Sequence, residues 1–338
     1  MKIFAQEYVR IVQIHFIIYA IENETEAQTL ARILNFGSLN LDQVYRVDAF
    51  VKPGETKSSL SLETHCGGKG LNQSVAAARA GAEVWHAGMI GCDGEILYEK
   101  LHENGVNLSL TERTSGVSGH AIIQVDNNGQ NCILLYGGTN QELTEDYIDR
   151  ALAAFGSEGL VLVQNETNLV GSIIRKAHEH GLQVAINASP MDEKILTYPL
   201  EFVDWLVVNE IEGAAIANCE FEVDILPQIA KRYPKMNVLL TLGKRGAICA
   251  RGQERAKSGI YQVKVVDTTA AGDTFLGYFL TEALDGKSLS DALGIATAAS
   301  SMCVQVMGAA DSVPLRNDVL DTMERGGLGK LGEWGGWR

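Results

Sequence analysis

Ten residues, Val266–Phe275 (VDTTAAGDTF), have the composition of a device for handling an anion in transfer. A strand ending at Val266 is expected to run into a short Thr-Ala-Ala-Gly turn and then into a helix starting near Asp273. Small residues let the backbone approach an anion closely. The N–H groups of Ala271, Gly272 and Asp273 would point at one spot, where the helix dipole adds positive potential. The same dipole favours a carboxylate at Asp273, and a carboxylate beside a phosphate nest is placed to accept a hydroxyl proton. On spacing alone, Asp273 would serve equally well as a helix N-cap.

Other segments have chemistry of the same kind. Gly67–Gly70 (GGKG) opens an alanine-rich helix and suits either a ligand held against the backbone or close helix–strand packing. Asn40 and Asp42 follow the apolar run Arg32–Leu39, and Glu166 follows Leu160–Gln164. The carboxyl ends of parallel strands are where α/β sheets present ligand groups. A polyol needs several donors and acceptors in fixed geometry. Taken singly, Asp42 and Glu166 also fit solvated loop carboxylates, Glu212 a surface helix charge, and Thr241–Gly246 (TLGKRG) a β-turn. Two matches are decoys. Gly327, Gly329 and Gly332 spell GxGxxG with no strand before them, and Gly286-Lys287-Ser288 has Thr281 where a P-loop needs its first glycine.

The elements that must position these groups alternate. From Ala82 onward, strand-like runs and helical runs follow one another, with helices over Gly94–Glu103, Thr144–Phe155, Leu169–His180, Glu210–Ala217, Ala271–Leu284 and Ser290–Gln305. This alternation implies an α/β fold, a Rossmann-like and mostly parallel central sheet with helices on both faces. Segments 43–66 and 114–136 break the pattern, the second around an Asn-Gly hairpin signal, and are expected to form a small β-sheet lid. Residues 32–325 form the expected main domain, residues 1–31 an extension of unknown role, and the glycine-rich 326–338 a loose tail.

Composition narrows the function. The chain has 338 residues, 46% hydrophobic and 21% charged, too apolar for disorder over most of its length. A formal charge of −14 repels phosphate backbones and anionic lipids, so neither nucleic acid nor a membrane is expected as partner. No apolar run is long enough to span a bilayer, and no secretory cleavage site follows the apolar stretch Ile11–Ile21. The six cysteines form no CxxC pair and are expected to be reduced thiols of a cytoplasmic protein.

The segments around residues 67 and 267 together resemble the two signatures of the ribokinase-like sugar kinases. Gly67–Ala76 is similar to the N-terminal signature and Asp267–Phe275 to the C-terminal one. Gly37–Asp42 and Pro53–Thr56 match the expected neighbours, and the resemblance runs in order from about Ile33 to Pro314. It implies ATP-dependent phosphorylation of a primary hydroxyl of a small sugar. The Gly-Gly-Lys-Gly form favours ribose, giving ribose 5-phosphate, over nucleosides. Asp273 then corresponds to the catalytic base and Ala270, Ala271 and Gly272 to an anion hole. Asn40, Asp42, Gly67, Gly68, Lys69, Asn72 and Glu166 correspond to the sugar site. Asn209 and Glu212 would organise Mg²⁺ through water, and Thr241, Gly243 and Gly246 would cradle the nucleotide. A potassium site is implied at Asp267, Thr269, Cys303, Val306, Gly308 and Ser312, mostly through backbone carbonyls. Relatives also imply a homodimer joined through the lid. The chain departs from the family in Ala188-Ser189 and in Val208, neither of which is a catalytic position. Another sugar or a nucleoside is the alternative acceptor. A non-catalytic sugar sensor is the alternative of a different class, and the presence of Asp273 and its glycine turn argues against it.

Overall fold

The computed structural model describes residues 30–337, so the expected N-terminal extension lies almost wholly outside the described residues. Thirteen strands are found among them. The main sheet takes β1 (Arg32–Phe36), β4 (Glu83–Ile90), β5 (Thr111–Arg113), β8 (Leu160–Gln164), β9 (Gln183–Asn187), β10 (Trp205–Asn209), β11 (Asn237–Thr241), β12 (Ala247–Arg251) and β13 (Glu254–Ser258). Their order across the sheet is β13-β12-β11-β10-β9-β8-β1-β4-β5. Pairing is parallel from β11 through β5 and antiparallel at β11–β12 and β12–β13.

Strand periodicity divides the core. Ile33, Leu162 and Leu239 face one side, while Leu34, Val161 and Leu240 face the other. On the first side pack α1 (Lys69–Arg79), α2 (Glu95–Glu103), α7 (Ala271–Leu284), α8 (Leu289–Cys303) and α9 (Arg316–Glu324). On the second pack α3 (Glu145–Phe155), α4 (Val170–Glu179), α5 (Glu210–Ala217) and α6 (Glu222–Arg232). A second sheet, ordered β3-β2-β6-β7, combines β2 (Asn40–Arg46), β3 (Ser61–Gly67), β6 (Gly119–Val125) and β7 (Asn131–Tyr136).

Several expectations need correction. The first strand does not run to Leu39: it stops at Phe36, and the chain enters the second sheet at Asn40. Asn40 and Asp42 therefore belong to β2, not to the carboxyl end of β1. The break occurs where Gly37 meets Gly70; a Cβ on Gly37 would lie 2.5 Å from the Gly70 Cα. Helix α6, where no element was expected from the sequence, forms across Pro227 because Ile225, Leu226 and Ile229 bury one face of it. The tail expected to be loose instead packs. Leu331 bridges to Tyr261, the Gly335 N–H donates to the Arg245 carbonyl at 3.0 Å, and Trp334 and Trp337 lie against the second core. Two indole rings bring enough apolar surface to anchor a glycine-rich segment.

Candidate active site

Most residues expected to hold the sugar gather where β2, β3 and the start of α1 meet. Gly67 has no side chain in the space that the Asp42 carboxylate fills; a Cβ there would lie 2.0 Å from Asp42 Oδ2. Gly68 caps α1 at φ +91°, and Gly70 lies so close to the backbone of Gly37 and Ser38 that a Cβ would strike Ser38 N at 2.2 Å. Glu166 accepts a hydrogen bond from the Lys69 N–H at 3.0 Å and another from the Ser38 hydroxyl. Burial pushes the Asp42 carboxyl up to about 6, with the charge of Glu166 adding and that of His65 opposing. Glu166 is also raised, first by burial and then by the charge of Asp273, against lowering contacts from Lys69 and Ser38. Glu166 thus feels the charge of Asp273, as Asp42 feels that of Glu166. Asn40 is tied to these carboxylates less directly, since its Oδ1 accepts from Asn140 Nδ2 at 2.8 Å.

Asp273 stands in the first turn of α7 and is 8% exposed. It does not cap the helix; that position is Ala270, a non-glycine residue at φ 59°. Asn72 Nδ2 donates to Asp273 Oδ2 at 3.2 Å and Gln73 Nε2 to Oδ1 at 2.8 Å. Among the described residues the N–H groups of Gly272 and Asp273 have no hydrogen-bond partner, whereas Ala271 N–H donates to the Thr268 carbonyl at 3.3 Å. The anion turn is thus narrower than the sequence suggests, with Ala271 partly engaged.

A cavity of about 550 Å³ opens beside this turn. It is lined by Thr241, Gly243, Lys244 and Gly246, by Ala271 and Gly272, and by Gly259–Val263 and Phe275. Its size and mostly apolar lining with a few polar groups suit a nucleotide. Glu212 is no surface charge. It is 6% exposed, and with Asn209 it closes a capping box on α5: Asn209 Oδ1 accepts from Glu212 N–H, and Glu212 Oε2 accepts from Asn209 N–H at 2.8 Å. Burial raises the Glu212 carboxyl, against hydrogen bonds from Asn209 and Ser189 and the nearby charge of Lys69.

The residues expected around potassium are brought together. Asp267 Oδ1 accepts from the Thr269 N–H and hydroxyl at 2.9 and 2.7 Å, and Oδ2 from the Gly308 N–H at 3.0 Å. Burial pushes Asp267 up, but these bonds outweigh it and hold the carboxyl below its ordinary range. Cys303 Sγ lies 3.0 Å from Ser312 Oγ and 3.8 Å from the Thr269 carbonyl, and the Val306 N–H donates to the Cys303 carbonyl. Among the described residues no cluster of three or more His, Cys, Asp or Glu could hold a metal ion.

Residues 30–316 match the family described as pfkB family carbohydrate kinase. The chain belongs to the pfkB family of carbohydrate kinases. It is 34% identical to a ribokinase of Haemophilus influenzae over 299 residues, 85% of this chain and 97% of that one. It is 33% identical to a bifunctional ribokinase/ribose-5-phosphate isomerase A of Fructilactobacillus sanfranciscensis; the match takes 88% of this chain and 57% of that protein's length. The solved structure of Arabidopsis thaliana ribokinase complexed with ribose and ATP superposes with a TM-score of 0.76 at 29% identity, covering 87% of this chain and 99% of that one.

In this pfkB family kinase a buried polar layer lies behind Asp273 that no sequence motif announces. Asn35, Gln73, Ser74, His86 and Gln164 are all at most 1% exposed. The signal available was a polar residue inside or ending an apolar run, as Asn35 in RILNF and Gln164 in LVLVQ. The cavity lining at Gly259–Val263 and the tail docked behind it go unannounced too, because they follow no regular period.

Proposed function

We propose that this kinase transfers the γ-phosphoryl group of ATP to the primary hydroxyl of ribose, giving ribose 5-phosphate and ADP. One observation carries the reading. The Asp273 carboxylate, held by Asn72 and Gln73, stands beside the open N–H of Gly272, and Gly272 lines the nucleotide-sized cavity. Asp273 accepts the proton of the attacking hydroxyl as the P–O bond forms, and the N–H of Gly272 stabilises charge on the transferring group. Asp42, Lys69, Asn72 and Glu166 hold the other sugar hydroxyls. Asn72 Oδ1 is a buried acceptor with no partner among the described residues, which suits a hydroxyl donor. The likeness to proteins named ribokinase, one of them complexed with ribose and ATP, supports the choice of acceptor.

Two ions fit the donors present. Asn209 and Glu212 offer a hard oxygen to the water shell of Mg²⁺, which neutralises phosphate charge when bound. Around Asp267 the side-chain oxygens and the carbonyls of Thr269, Cys303 and Val306 are oxygen donors of the kind potassium takes. The lid sheet is the proposed homodimer interface. Six cysteines without a disulfide agree with a cytoplasmic location.

Coupled ADP release across ribose, deoxyribose, fructose and adenosine, with and without K⁺, tests the reading. The expected result is the highest kcat/KM for ribose and stimulation by K⁺. A preference for adenosine, or no turnover of any sugar, overturns it.

A further inference from the structure

A chain of hydrogen bonds runs through the core to Asp273, with donation running outward in both directions from Gln164 Nε2. Buried polar groups are costly unless paired, and in this chain of bonds only Gln164 Oε1 has no partner among the described residues. The direction of every bond follows from its far end. A backbone carbonyl only accepts, so His86 Nε2, 3.2 Å from the Gly37 carbonyl, carries the ring proton. Burial holds the imidazole down at about 4, so the ring is neutral and its Nδ1 accepts. Ser74 Oγ, 2.8 Å away, therefore donates to Nδ1 and is left to accept from Asn35 Nδ2 at 2.9 Å. Asn35 Nδ2 also donates to the Gly70 carbonyl at 2.8 Å, which turns Asn35 Oδ1 toward Gln164. Gln164 Nε2 gives one proton to that oxygen at 2.9 Å and the other to Gln73 Oε1 at 2.8 Å. With its oxygen occupied, Gln73 has only its NH₂ to offer Asp273.

Resting on the reading of Asp273 as general base, we propose that Gln73 is a positioning residue for it, and that Gln164, Asn35, Ser74 and His86 keep the Gln73 amide from turning. A reversed Gln73 would set its oxygen against the carboxylate, two acceptors face to face. The bond to Oδ1 at 2.8 Å is shorter than the Asn72 bond to Oδ2 at 3.2 Å. Oδ1 is thus the anchored oxygen, and Oδ2 is the one that takes the hydroxyl proton.

The test uses the full chain and four variants: Gln73→Met, Gln164→Met, Gln164→Glu and the double Gln73→Met/Gln164→Glu. Gln164→Glu keeps the shape but replaces the double donor with an acceptor, so it draws the Gln73 amide round. A misaimed base loses roughly 100-fold in rate. The expected result is a loss of about that size in kcat for Gln73→Met, with KM for ribose within about threefold. Gln164→Glu lowers kcat more than Gln164→Met does. The double variant is no slower than Gln73→Met alone, because Gln164 acts only through Gln73. A Gln73→Met enzyme with near-normal kcat, or losses that simply multiply in the double variant, overturns the proposal. Should Gln73→Met not fold, the order of the two Gln164 variants decides: equal kcat in both overturns it. An inactive wild-type chain would count against the ribose reading instead. In that event the Gln73 side-chain amide resonances report the geometry without turnover; they are expected to move in Gln164→Glu, and unmoved resonances overturn the proposal.

Discussion

Asp273 has two amide donors on its carboxylate and unpartnered N–H groups beside it, an environment built for an anion rather than for packing. Asp273→Asn keeps the shape and removes the proton acceptor. General-base catalysis contributes about 10²–10⁴-fold, so turnover should fall by about that factor while titration calorimetry still detects ribose binding. Near-normal turnover would remove Asp273 from its role. Asp42 carries a pH prediction. Its carboxyl is raised to about 6, so its contribution to stability is present below about pH 4 and is lost as pH rises through 6. Sugar hydroxyls donating to the ionised form offset that cost. KM for ribose should therefore rise several-fold between pH 7 and pH 5, and Asp42→Asn should flatten the rise; a KM independent of pH in the unsubstituted enzyme contradicts this. Asp273 was legible from its motif. Gln73 was not, because a glutamine in an alanine-rich run has no pattern of its own until its partners from β1 and β8 are in place.

At the scale of elements, the contact between α1 and α7 sets the distance between Gln73 and Asp273. Gly277 lies one turn beyond Asp273, and a Cβ on it would come within 2.5 Å of the Ala76 Cβ and 2.7 Å of the Ala77 nitrogen. Gly277→Val forces the helices apart. Overpacking of this kind costs about 1–3 kcal/mol, measurable by urea unfolding, and kcat should drop more than KM changes. Unchanged stability would show that the contact is slack. The Asn209–Glu212 capping box has a parallel lesson. The Asn-x-x-Glu spacing was visible, yet its burial and its reciprocal bonds belong to the packed α5 and could not be read from a helix charge alone. Helix α6 was hidden for the opposite reason, since Pro227 reads as a breaker while tertiary burial overrides it.

At the scale of the whole molecule, the lid and the tail carry the expectations. On β7, Ile133, Leu134, Leu135 and Tyr136 are each more than half exposed although consecutive, so both faces of this edge strand are bare. Light scattering should find a dimer, and Leu134→Arg should give a monomer; a monomeric unsubstituted enzyme rejects the lid interface. The tail packs against the loop 243–246 at the cavity. Arg245 pairs with Glu222 at 2.6 Å while its backbone holds Gly335, and Gly259 leaves room for the Gly332 carbonyl. Deleting residues after Leu328 should raise KM for ATP several-fold and leave KM for ribose unchanged. Equal ATP kinetics would make the tail a passive attachment.

Local chemistry was enough to determine the alternation of strand and helix, the two signature loops and the choice of Asp273 as the proposed base, because each rests on residues close together in the chain. Tertiary structure alone decided that Asn40 and Asp42 start the lid, that Glu212 is buried, that the tail docks, and which way the amides behind Asp273 point. Those outcomes depend on partners as far apart in sequence as Gln73 and Asp273, and a hydrogen-bond direction exists only once both ends are in place.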